Sequence, residues 1–486
     1  MDLDILIKDG CIVNGTGNPW FRADVGIRDG RIVDVGSLPS ASAQRVIEAK
    51  GLIVAPGFID THTHTTLMLL DSPHAEPKVM QGVTTDVVGV DGLSVAPITR
   101  ETVGQLRKFL AGVEGETDPW DWFTLGEYFE RLERGGISVN LASMVGNGTI
   151  RLATVGFENR PATGEELETM KGLLAQSMDN GALGLSSGLI YPPSMYADTR
   201  ELIELCREAA RRGGIYVTHI RSEEEMLLPS IREAIEIGEA AGIPVHISHL
   251  KAGGRANWGR AGEVLAVIDE ARARGVDVTA DQYPYTAGST TLVTLLPTWV
   301  MEGGVDKILE RLRNPETRLK IKDEVERSAP HWGEVTVSYC RRNKGVEGKT
   351  LEEVAALRGV DPSDALIDLL IEEETAASMI ELMMSEEDVR TIMRHPAVNV
   401  CTDGLVMGKP HPRLYGSFPA VLGRYVRREG VLTLEDAVRK MTSLPARVLG
   451  LRDRGLIAVG MCADVVVFDP QSVLDRATYG EPRRYP

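Results

Sequence analysis

The stretch GLIVAPGFIDTHTH (51–64) decides the fold of this chain, because a continuous apolar run passes directly into polar residues. Such a run, without polar alternation, is typical of a parallel strand that is buried on both faces. His62 and His64 are two residues apart, so on an extended strand they point to the same side and can hold one metal ion. Two surface histidines are the alternative, and the buried run before them weakens it.

The same unit, a short apolar strand that ends in polar residues, recurs downstream. The further segments are TTDVVGVDG (84–92), NLASMVGNG (140–148), ALGLSSG (182–188), YVTHIRS (216–222), PVHISHLK (244–251), VDVTADQYPY (276–285) and VNVCTDG (398–404). Helical patterns such as TGEELETMKGLLAQSMDNG (163–181) separate them and close on glycine, which is typical of a helix end. Eight strands with intervening helices predict an α/β fold, a (β/α)8 TIM-like barrel over residues 56–449.

Both ends of the chain have the pattern of short β-strands. DILIKDGCIVNG (4–15) and ADVGIRDGRIVDVG (23–36) each place an Asp-Gly pair between alternating segments, which favours a hairpin. GLIAVGMCADVVVFD (455–469) predicts strand, turn and strand. Because neither end has enough strands for a stable sheet, we expect residues 1–55 and 450–486 to form one small composite β-domain.

One connection in the barrel is too long to be a loop. The segment 286–397 lies between the seventh and eighth strands, where loops usually have about 2–6 residues. It predicts an inserted subdomain at about 286–345, on the side of the barrel where the active site opens.

Composition excludes several classes of protein. The chain has 486 residues, of which 43% are hydrophobic and 25% charged, and its net charge of −17 opposes binding to nucleic acid or anionic lipid. No segment approaches the roughly 20 apolar residues that cross a bilayer, and the N-terminus has no signal-peptide pattern. Five scattered cysteines favour a reducing compartment, so we expect a cytoplasmic enzyme with a small-molecule substrate. Whether it forms a homo-oligomer stays open.

Ligand-type side chains collect at the predicted strand ends, where barrels of this kind perform their chemistry. Besides the two histidines of the first strand, they are Asp91, His219, His249 and Asp403. Four histidines and two aspartates at one barrel mouth would hold one or two divalent ions, which lower the pKa of bound water toward ~7. For Asp403 a turn cap is the alternative, and for His246 we favour an ordinary core residue.

These residues resemble the amidohydrolase superfamily, and longer motifs are similar to the N-acyl-D-amino-acid deacylases (D-aminoacylases). The motifs are GALGLSSGLIYPP (181–193), THIRSE (218–223), ISHLKAGG (247–254), ADQYPYTAGSTTL (280–292), HPRLYGSFPAVLGRYVRREG (411–430) and KMTSLPARVLGL (440–451). The resemblance implies a metal-bearing barrel with a composite β-domain. It also implies cleavage of an N-acyl amide from an amino acid, for which we expect the D configuration.

The resemblance assigns roles to individual residues. His219 and His249 would hold the tighter metal, while His62, His64 and Asp403 would build a second site, with Asp403 as general base and acid. Lys251 and Arg413 would grip the substrate's free carboxylate, and Ser289 and Tyr283 are further candidates for substrate binding. Zn²⁺ is the first expectation for the metal, with Mn²⁺ or Co²⁺ as alternatives.

The chain departs from the family pattern at two positions. Asp91 stands where these deacylases present a bridging cysteine, and ALGLSSG (182–188) has no lysine that could bridge instead. A carboxylate is a harder donor than a thiolate, so the site would favour zinc less decisively. Asn147 stands where the family often has a histidine that contacts the substrate, so the resemblance does not extend to this contact.

Two other functions remain as alternatives. A cyclic-amide hydrolase of the hydantoinase or dihydroorotase type would use the same metals but no grip on a free carboxylate. A non-catalytic binding homologue is the other alternative, suggested by Asp91 and Asn147, and the retained histidines and Asp403 argue against it.

Overall fold

Eight parallel strands form the centre of the protein in the computed structural model, which describes residues 2–328 and 331–486. In chain order, strands one to eight are Phe58–Asp60 with Thr63–His64, Val83–Val88, Asn140–Ser143 with Val145–Gly146, Gly184–Gly188, Ile215–His219, Val245–Ile247, Val278–Gln282, and Val398–Val400 with Gly404–Leu405. Each pairs in parallel with the next. A last parallel ladder joins Gly404–Leu405 of strand eight to Thr63–His64 of strand one.

Helices connect these strands and bury their apolar faces. They are Met68–Asp71, Glu76–Val79, Val103–Leu110, Leu125–Gly135, Asn147–Thr154, Gly164–Asp179, Thr199–Arg211, Leu227–Ala241, Ala261–Ala273, Glu386–Arg394, Arg413–Ala420, the π-helical Val421–Arg428, Leu434–Met441 and Ser443–Val448. Single 3₁₀ turns occur at Ser194–Tyr196, Arg255–Asn257, Leu292–Leu295, Thr298–Val300, Trp332–Glu334 and Lys344–Val346. Within the described residues, none of the helices has the length and apolar character needed to span a membrane.

Local chemistry sets where these helices begin and end. The helix Gly164–Asp179 begins at a capping box, in which the side chains of Thr163 and Glu166 each accept the other's backbone amide. The helix Leu227–Ala241 ends at Gly242, whose φ of +67° is left-handed. Both boundaries follow from residues that are readable in the sequence.

Residues from both ends of the chain form one small sheet. Its strands are Asp2–Ile12, Phe21–Arg28, Arg31–Gly36, Ser42–Glu48, Ile53–Pro56 and Val465–Phe468. The C-terminal strand pairs antiparallel with Ile53–Pro56, which leads directly into strand one of the barrel. Met1 belongs to the predicted 1–55 segment but lies outside the described residues.

Of the two predicted Asp-Gly hairpins, one was wrong. Asp29 and Gly30 form the expected turn, with φ of 51° and 68°, between Phe21–Arg28 and Arg31–Gly36. Asp9 is also left-handed, with φ of 56°, yet Asp2–Ile12 continues past it as one strand with a register shift. The strand continues because it has ladder partners on both sides, which outweigh the local turn preference.

The predicted strand, turn and strand at 455–469 was half wrong, since Val465–Phe468 is the strand that forms there. Gly455 and Gly460 have φ of +84° and +92°, so the chain turns between them. Ile457 is buried in the small sheet's core, and its amide donates to the carbonyl of Asn14 at 3.1 Å. The apolar residues of this segment indicated correctly that part of it is buried, but Ile457 is buried in a turn and not in a strand.

The long connection between strands seven and eight folds as a subdomain with its own core. Its antiparallel sheet consists of Ala287–Thr291, Val335–Cys340 and Ala377–Leu382, covered by the helices Gly304–Arg313, Pro315–Arg327, Leu351–Arg358 and Pro362–Glu372. The last strand is the middle one, so the unit continues past the predicted limit of 345 to Leu382. Residues 329–330 of the predicted insertion lie outside the described residues.

Candidate metal centre and substrate cavity

The strand ends bring all six predicted metal ligands together. One group consists of His62, His64, Asp91 and Asp403, and a second consists of Asp91, His219 and His249. Within each group the candidate ligand atoms lie within 4.8 Å of one another. All six residues are buried, and the most exposed, Asp403, is 6% exposed.

Asp91 is the residue that the two groups share. Its Oδ2 lies 3.3 Å from His62 Nε2 and 3.4 Å from His64 Nε2. Its Oδ1 lies 3.6 Å from His249 Nε2, and His219 Nδ1 is 3.9 Å from Oδ2. The carboxylate therefore lies between the two groups, where a bridging ligand would have to be.

Three of these residues have a left-handed backbone. The φ angles of Asp91, His249 and Asp403 are 55°, 35° and 48°, a conformation that costs energy for residues other than glycine. At strand eight the amide of Asp403 donates to the carbonyl of His62 at 2.8 Å. The following turn is held by Thr402, whose Oγ1 accepts the Gly404 amide at 3.2 Å, so the carboxylate of Asp403 faces the cluster instead of the turn.

The donor set fits a divalent cation. His62 Nε2, Asp91 Oδ1 and His219 Nε2 are buried without a hydrogen-bond partner among residues 2–328 and 331–486. Buried polar atoms are normally paired, so the unpaired Nε2 of His62 and Oδ1 of Asp91, which belong to one candidate ligand group, indicate a missing partner. Imidazole nitrogens and carboxylate oxygens are the ligands that zinc prefers besides thiolate.

Electrostatics keep the two aspartates ionised. Burial alone would raise the pKa of Asp91, but the neighbouring His62 and His249 hold it well below its ordinary value. The pKa of Asp403 is likewise lowered despite burial, chiefly by the Arg413 guanidinium. Burial lowers the pKa of His219, which favours the neutral imidazole that binds metals.

A cavity of about 910 Å³ opens beside the cluster and is closed on its far side by the inserted subdomain. Lys251, Tyr283 and Ser289, three of the predicted substrate-binding residues, line it. Lys251 is paired with Glu223, and its Nζ lies 2.9 Å from His249 Nδ1. The ammonium group is therefore next to the cluster.

Arg413, the fourth predicted substrate-binding residue, is fully buried next to this cavity. Its Nη1 lies 2.8 Å from Asp403 Oδ2, and Nη2 donates to the carbonyl of Ser289 at 3.0 Å. The guanidinium carbon stacks 4.3 Å from the centre of the Tyr283 ring. Nε has no hydrogen-bond partner in the described part of the chain.

Two strand-end residues lie outside the cluster. His246 contacts Thr279 Oγ1 through Nδ1 at 2.8 Å and Asp281 Oδ2 through Nε2 at 3.0 Å, so it is the core residue that we predicted. Asn147 accepts a hydrogen bond from Ser194 Oγ at 2.8 Å and lies 3.4 Å from Glu201, at the start of the helix Asn147–Thr154. It supports that helix and does not line the cavity.

Sequence reasoning missed two polar residues near the cluster, one with little exposure and one fully buried. Glu223 lies 3.0 Å from His249 Nδ1, in addition to its pair with Lys251. It begins a run of three glutamates that reads as a solvated surface, and its place four residues after His219 was the available signal. Lys78 is fully buried and forms an ion pair with Asp60. No feature of its short helix, Glu76–Val79, indicates that its side chain is buried.

A barrel-like α/β fold with a His/Asp cluster at the strand ends and an adjoining cavity defines a metal-dependent hydrolase class. The model of the Amidohydrolase family matches residues 45–486, and the chain belongs to this family. It is 38% identical over 480 residues to the D-aminoacylase of Alcaligenes xylosoxydans xylosoxydans, covering 99% of this chain and 90% of that protein. It is 40% identical over 483 residues to the N-acyl-D-glutamate deacylase of the same organism, with the same coverage.

A solved structure also supports the assignment of this chain to the family. The N-acyl-D-glutamate deacylase of Bordetella bronchiseptica, crystallised with zinc and a phosphonate mimic of the tetrahedral intermediate, superimposes with a TM-score of 0.88 at 38% identity. The match covers 100% of this chain and 94% of the other. The predicted family and TIM-like fold class are therefore confirmed.

Proposed function

We propose that this protein hydrolyses the amide bond of N-acyl-D-amino acids and releases a carboxylate and a free D-amino acid. The observation that carries the proposal is the position of Asp91 between the two ligand groups, in the wall of a cavity that also contains Lys251. The two deacylases named above support the choice of a linear amide.

One or two divalent cations, Zn²⁺ first and Mn²⁺ or Co²⁺ as alternatives, would be held by the six ligands of the cluster. When bound, the cation lowers the pKa of a water molecule toward ~7 and polarises the acyl carbonyl. The zinc in the related Bordetella enzyme supports this assignment.

Asp403 is the base in this proposal. Its Oδ2 is held by Arg413, which leaves Oδ1 facing His62 Nε2 and His64 Nε2 at 3.5 Å each. Oδ1 takes the proton of the attacking water and passes it to the nitrogen of the leaving amine. The ion pair with Arg413 fixes the orientation of this carboxylate.

Substrate binding rests on the cationic side chains near the cluster. Lys251 Nζ, in the cavity wall, and Nε of the buried Arg413, which lies behind Tyr283 and Ser289 of that wall, are the donors for the substrate's α-carboxylate. Charge-assisted hydrogen bonds of this kind are about twice as strong as neutral ones. They would hold the scissile amide over the cluster.

The cysteines support a reducing compartment. All five (Cys11, Cys206, Cys340, Cys401 and Cys462) are free thiols. We propose the cytoplasm as the site of action on this basis.

The experiment compares an N-acyl-D-amino acid with its α-amide, for the wild type and Arg413→Ala. In the wild type the amide should lose at least ~10²-fold in kcat/KM, because it loses two charge-assisted contacts, to Lys251 and Arg413, each worth ~1.5–3 kcal/mol. Arg413→Ala should lower kcat/KM for both substrates, because it also releases Asp403, but the loss for the acid should exceed the loss for the amide at least ~10-fold. Equal losses of kcat/KM on both substrates would show that Arg413 only holds Asp403 and does not bind the substrate's carboxylate. Good turnover of an uncharged cyclic amide would favour the hydantoinase-like alternative.

A further inference from the structure

The two curated relatives leave the substrate's side chain open. One is a D-aminoacylase and the other acts on N-acyl-D-glutamate, which carries a second carboxylate, and their identities to this chain, 38% and 40%, are nearly equal. The charges that line the cavity distinguish these two cases. A second buried carboxylate needs a cation, because a desolvated charge without a partner is costly.

Every lysine and arginine that lines the cavity within the described residues already has an acidic partner. Lys251 pairs with Glu223, Arg221 with Glu233, Arg255 with Glu334 and Arg327 with Asp323. The α-carboxylate has the donors described above. The charges of the remaining three cations are already offset by acidic neighbours, so a side-chain carboxylate would gain little from them.

The cavity instead has an excess of acids on one side. Glu381 projects from the middle strand of the subdomain, and Glu224 and Glu334 line the cavity with it. We call these three residues the acidic wall, in which the Arg255 guanidinium already offsets the charge of Glu334. Burial, together with the nearby charges of Glu224 and Glu334, raises the pKa of Glu381 to about 7. A second substrate carboxylate would add to this repulsion.

The rest of the lining includes an apolar part. Its members, from the loop after strand four, the subdomain and strand eight, are Ile190, Leu295, Leu296, Pro297, Met379 and Leu405. Burying an apolar group against such residues is favourable in proportion to its area.

We infer that this cavity selects N-acyl-D-amino acids that have an apolar side chain and whose single charge is the α-carboxylate. The inference rests on the proposed function and adds the substrate class. N-acyl-D-glutamate and N-acyl-D-aspartate are excluded by the acidic wall and by the paired state of the cavity's cations.

The test measures kcat/KM of the zinc-loaded wild type for N-acetyl-D-leucine, N-acetyl-D-glutamine and N-acetyl-D-glutamate. Glutamine has the shape of glutamate without its charge, so this pair isolates the second carboxylate. We expect glutamine to exceed glutamate at least 30-fold and leucine to exceed both. A preference for glutamate would overturn the inference but keep the proposed function, whereas no hydrolysis of any N-acyl-D-amino acid would refute the function itself.

A variant tests the acidic wall directly. At pH 8, above the pKa of about 7 that Glu381 has in the folded protein, Glu381→Gln removes a negative charge with little change in shape and should narrow the glutamine-to-glutamate ratio at least 5-fold. Glu316→Gln, an exposed glutamate of the same subdomain outside the cavity, is the matched control and should leave the ratio unchanged. An unchanged ratio in Glu381→Gln would overturn the role given to the acidic wall.

Discussion

The two carboxylate oxygens of Asp403 have different neighbours. Arg413 holds one carboxylate oxygen at 2.8 Å, and the other lies 3.5 Å from the nitrogens of His62 and His64. The left-handed φ of 48° directs the side chain there, and the hydrogen bond that the Asp403 amide donates to the His62 carbonyl fixes the turn. The geometry suits a base whose orientation must not vary.

The substitution Asp403→Asn should reduce kcat by at least ~10²-fold, the usual scale for a lost general base. The group of Asp91, His219 and His249 is untouched, so the variant should keep at least one equivalent of metal. Steady-state kinetics and elemental analysis of the same preparation check both expectations. Near-normal turnover would show that Asp403 is not the base.

Glu381 should make stability depend on pH. Its pKa of about 7 in the folded protein lies above its ordinary value of 4.5, so folding favours the protonated form. Its stabilising contribution is complete below about pH 4.5 and is lost as pH rises through about 7. Relative to Glu381→Gln, the wild type should lose up to about 2 kcal/mol of unfolding free energy between pH 5 and 8, as measured by urea unfolding. A constant difference across this range would contradict the assignment.

At the scale of elements, the C-terminal tail contacts the loop that precedes the helix Arg413–Ala420. Tyr479 Oη lies 3.3 Å from His411 Nε2, and His411 Nδ1 accepts the backbone amide of Arg413 at 2.9 Å. The rings of Tyr479 and Tyr285 both meet His411 edge-on, with centroids 5.1 Å away. The small β-domain's end thus supports the proposed carboxylate-binding residue.

Tyr479→Ala should therefore raise KM for an N-acyl-D-amino acid about 10-fold and change kcat less, because it loosens Arg413 and leaves the metal ligands in place. KM for the α-amide should stay nearly constant. The control is Tyr485→Ala, which removes a ring that contacts Tyr415 instead of His411. Equal effects of the two variants would assign the tail a purely structural role.

Sequence patterns predicted the elements better than their ends. The strand ends at His62, His219 and Asp403 were identified because a buried parallel strand is apolar until it reaches the active-site face. The Asp-Gly pair at Asp9 led to a wrong hairpin prediction, because its turn preference depends on local sequence alone. The strand Asp2–Ile12 continues past this pair because it is paired with strands on both sides, which lie further along the sequence. The end of the subdomain was missed because its last strand is the central one.

The low exposure of two long polar side chains could not be predicted either. Glu223 and Lys78 lie in polar segments whose pattern resembles a surface, and their low exposure depends on neighbours that are distant in sequence. Their roles follow from tertiary packing alone.

At the scale of the whole molecule, the side chain of Lys78 forms hydrogen bonds that link strand one of the barrel to strand eight. Its Nζ donates to Thr63 Oγ1 at 2.7 Å and Thr402 Oγ1 at 2.9 Å, and it pairs with Asp60. These contacts lie where strand eight meets strand one. Removing one partner of a buried ion pair leaves the other charge without compensation.

Lys78→Met should destabilise the protein by about 3–5 kcal/mol. Urea unfolding measures the change. Lys108→Met is the matched control, because its pair with Asp306 is exposed and such pairs contribute about 0–1 kcal/mol. A loss for Lys78→Met no larger than that of the control would show that the buried network does not hold the ring together.

The account's central claim is metal-dependent hydrolysis of N-acyl-D-amino acids. The most direct test removes metal with a chelator, reloads the protein with Zn²⁺, and measures hydrolysis of N-acetyl-D-leucine and N-acetyl-L-leucine at each stage. We predict that activity on the D substrate is lost and then restored with one to two equivalents of zinc, and that the L substrate is cleaved at least ~10²-fold more slowly. Activity that survives complete metal removal, or equal cleavage of both enantiomers, would contradict the claim.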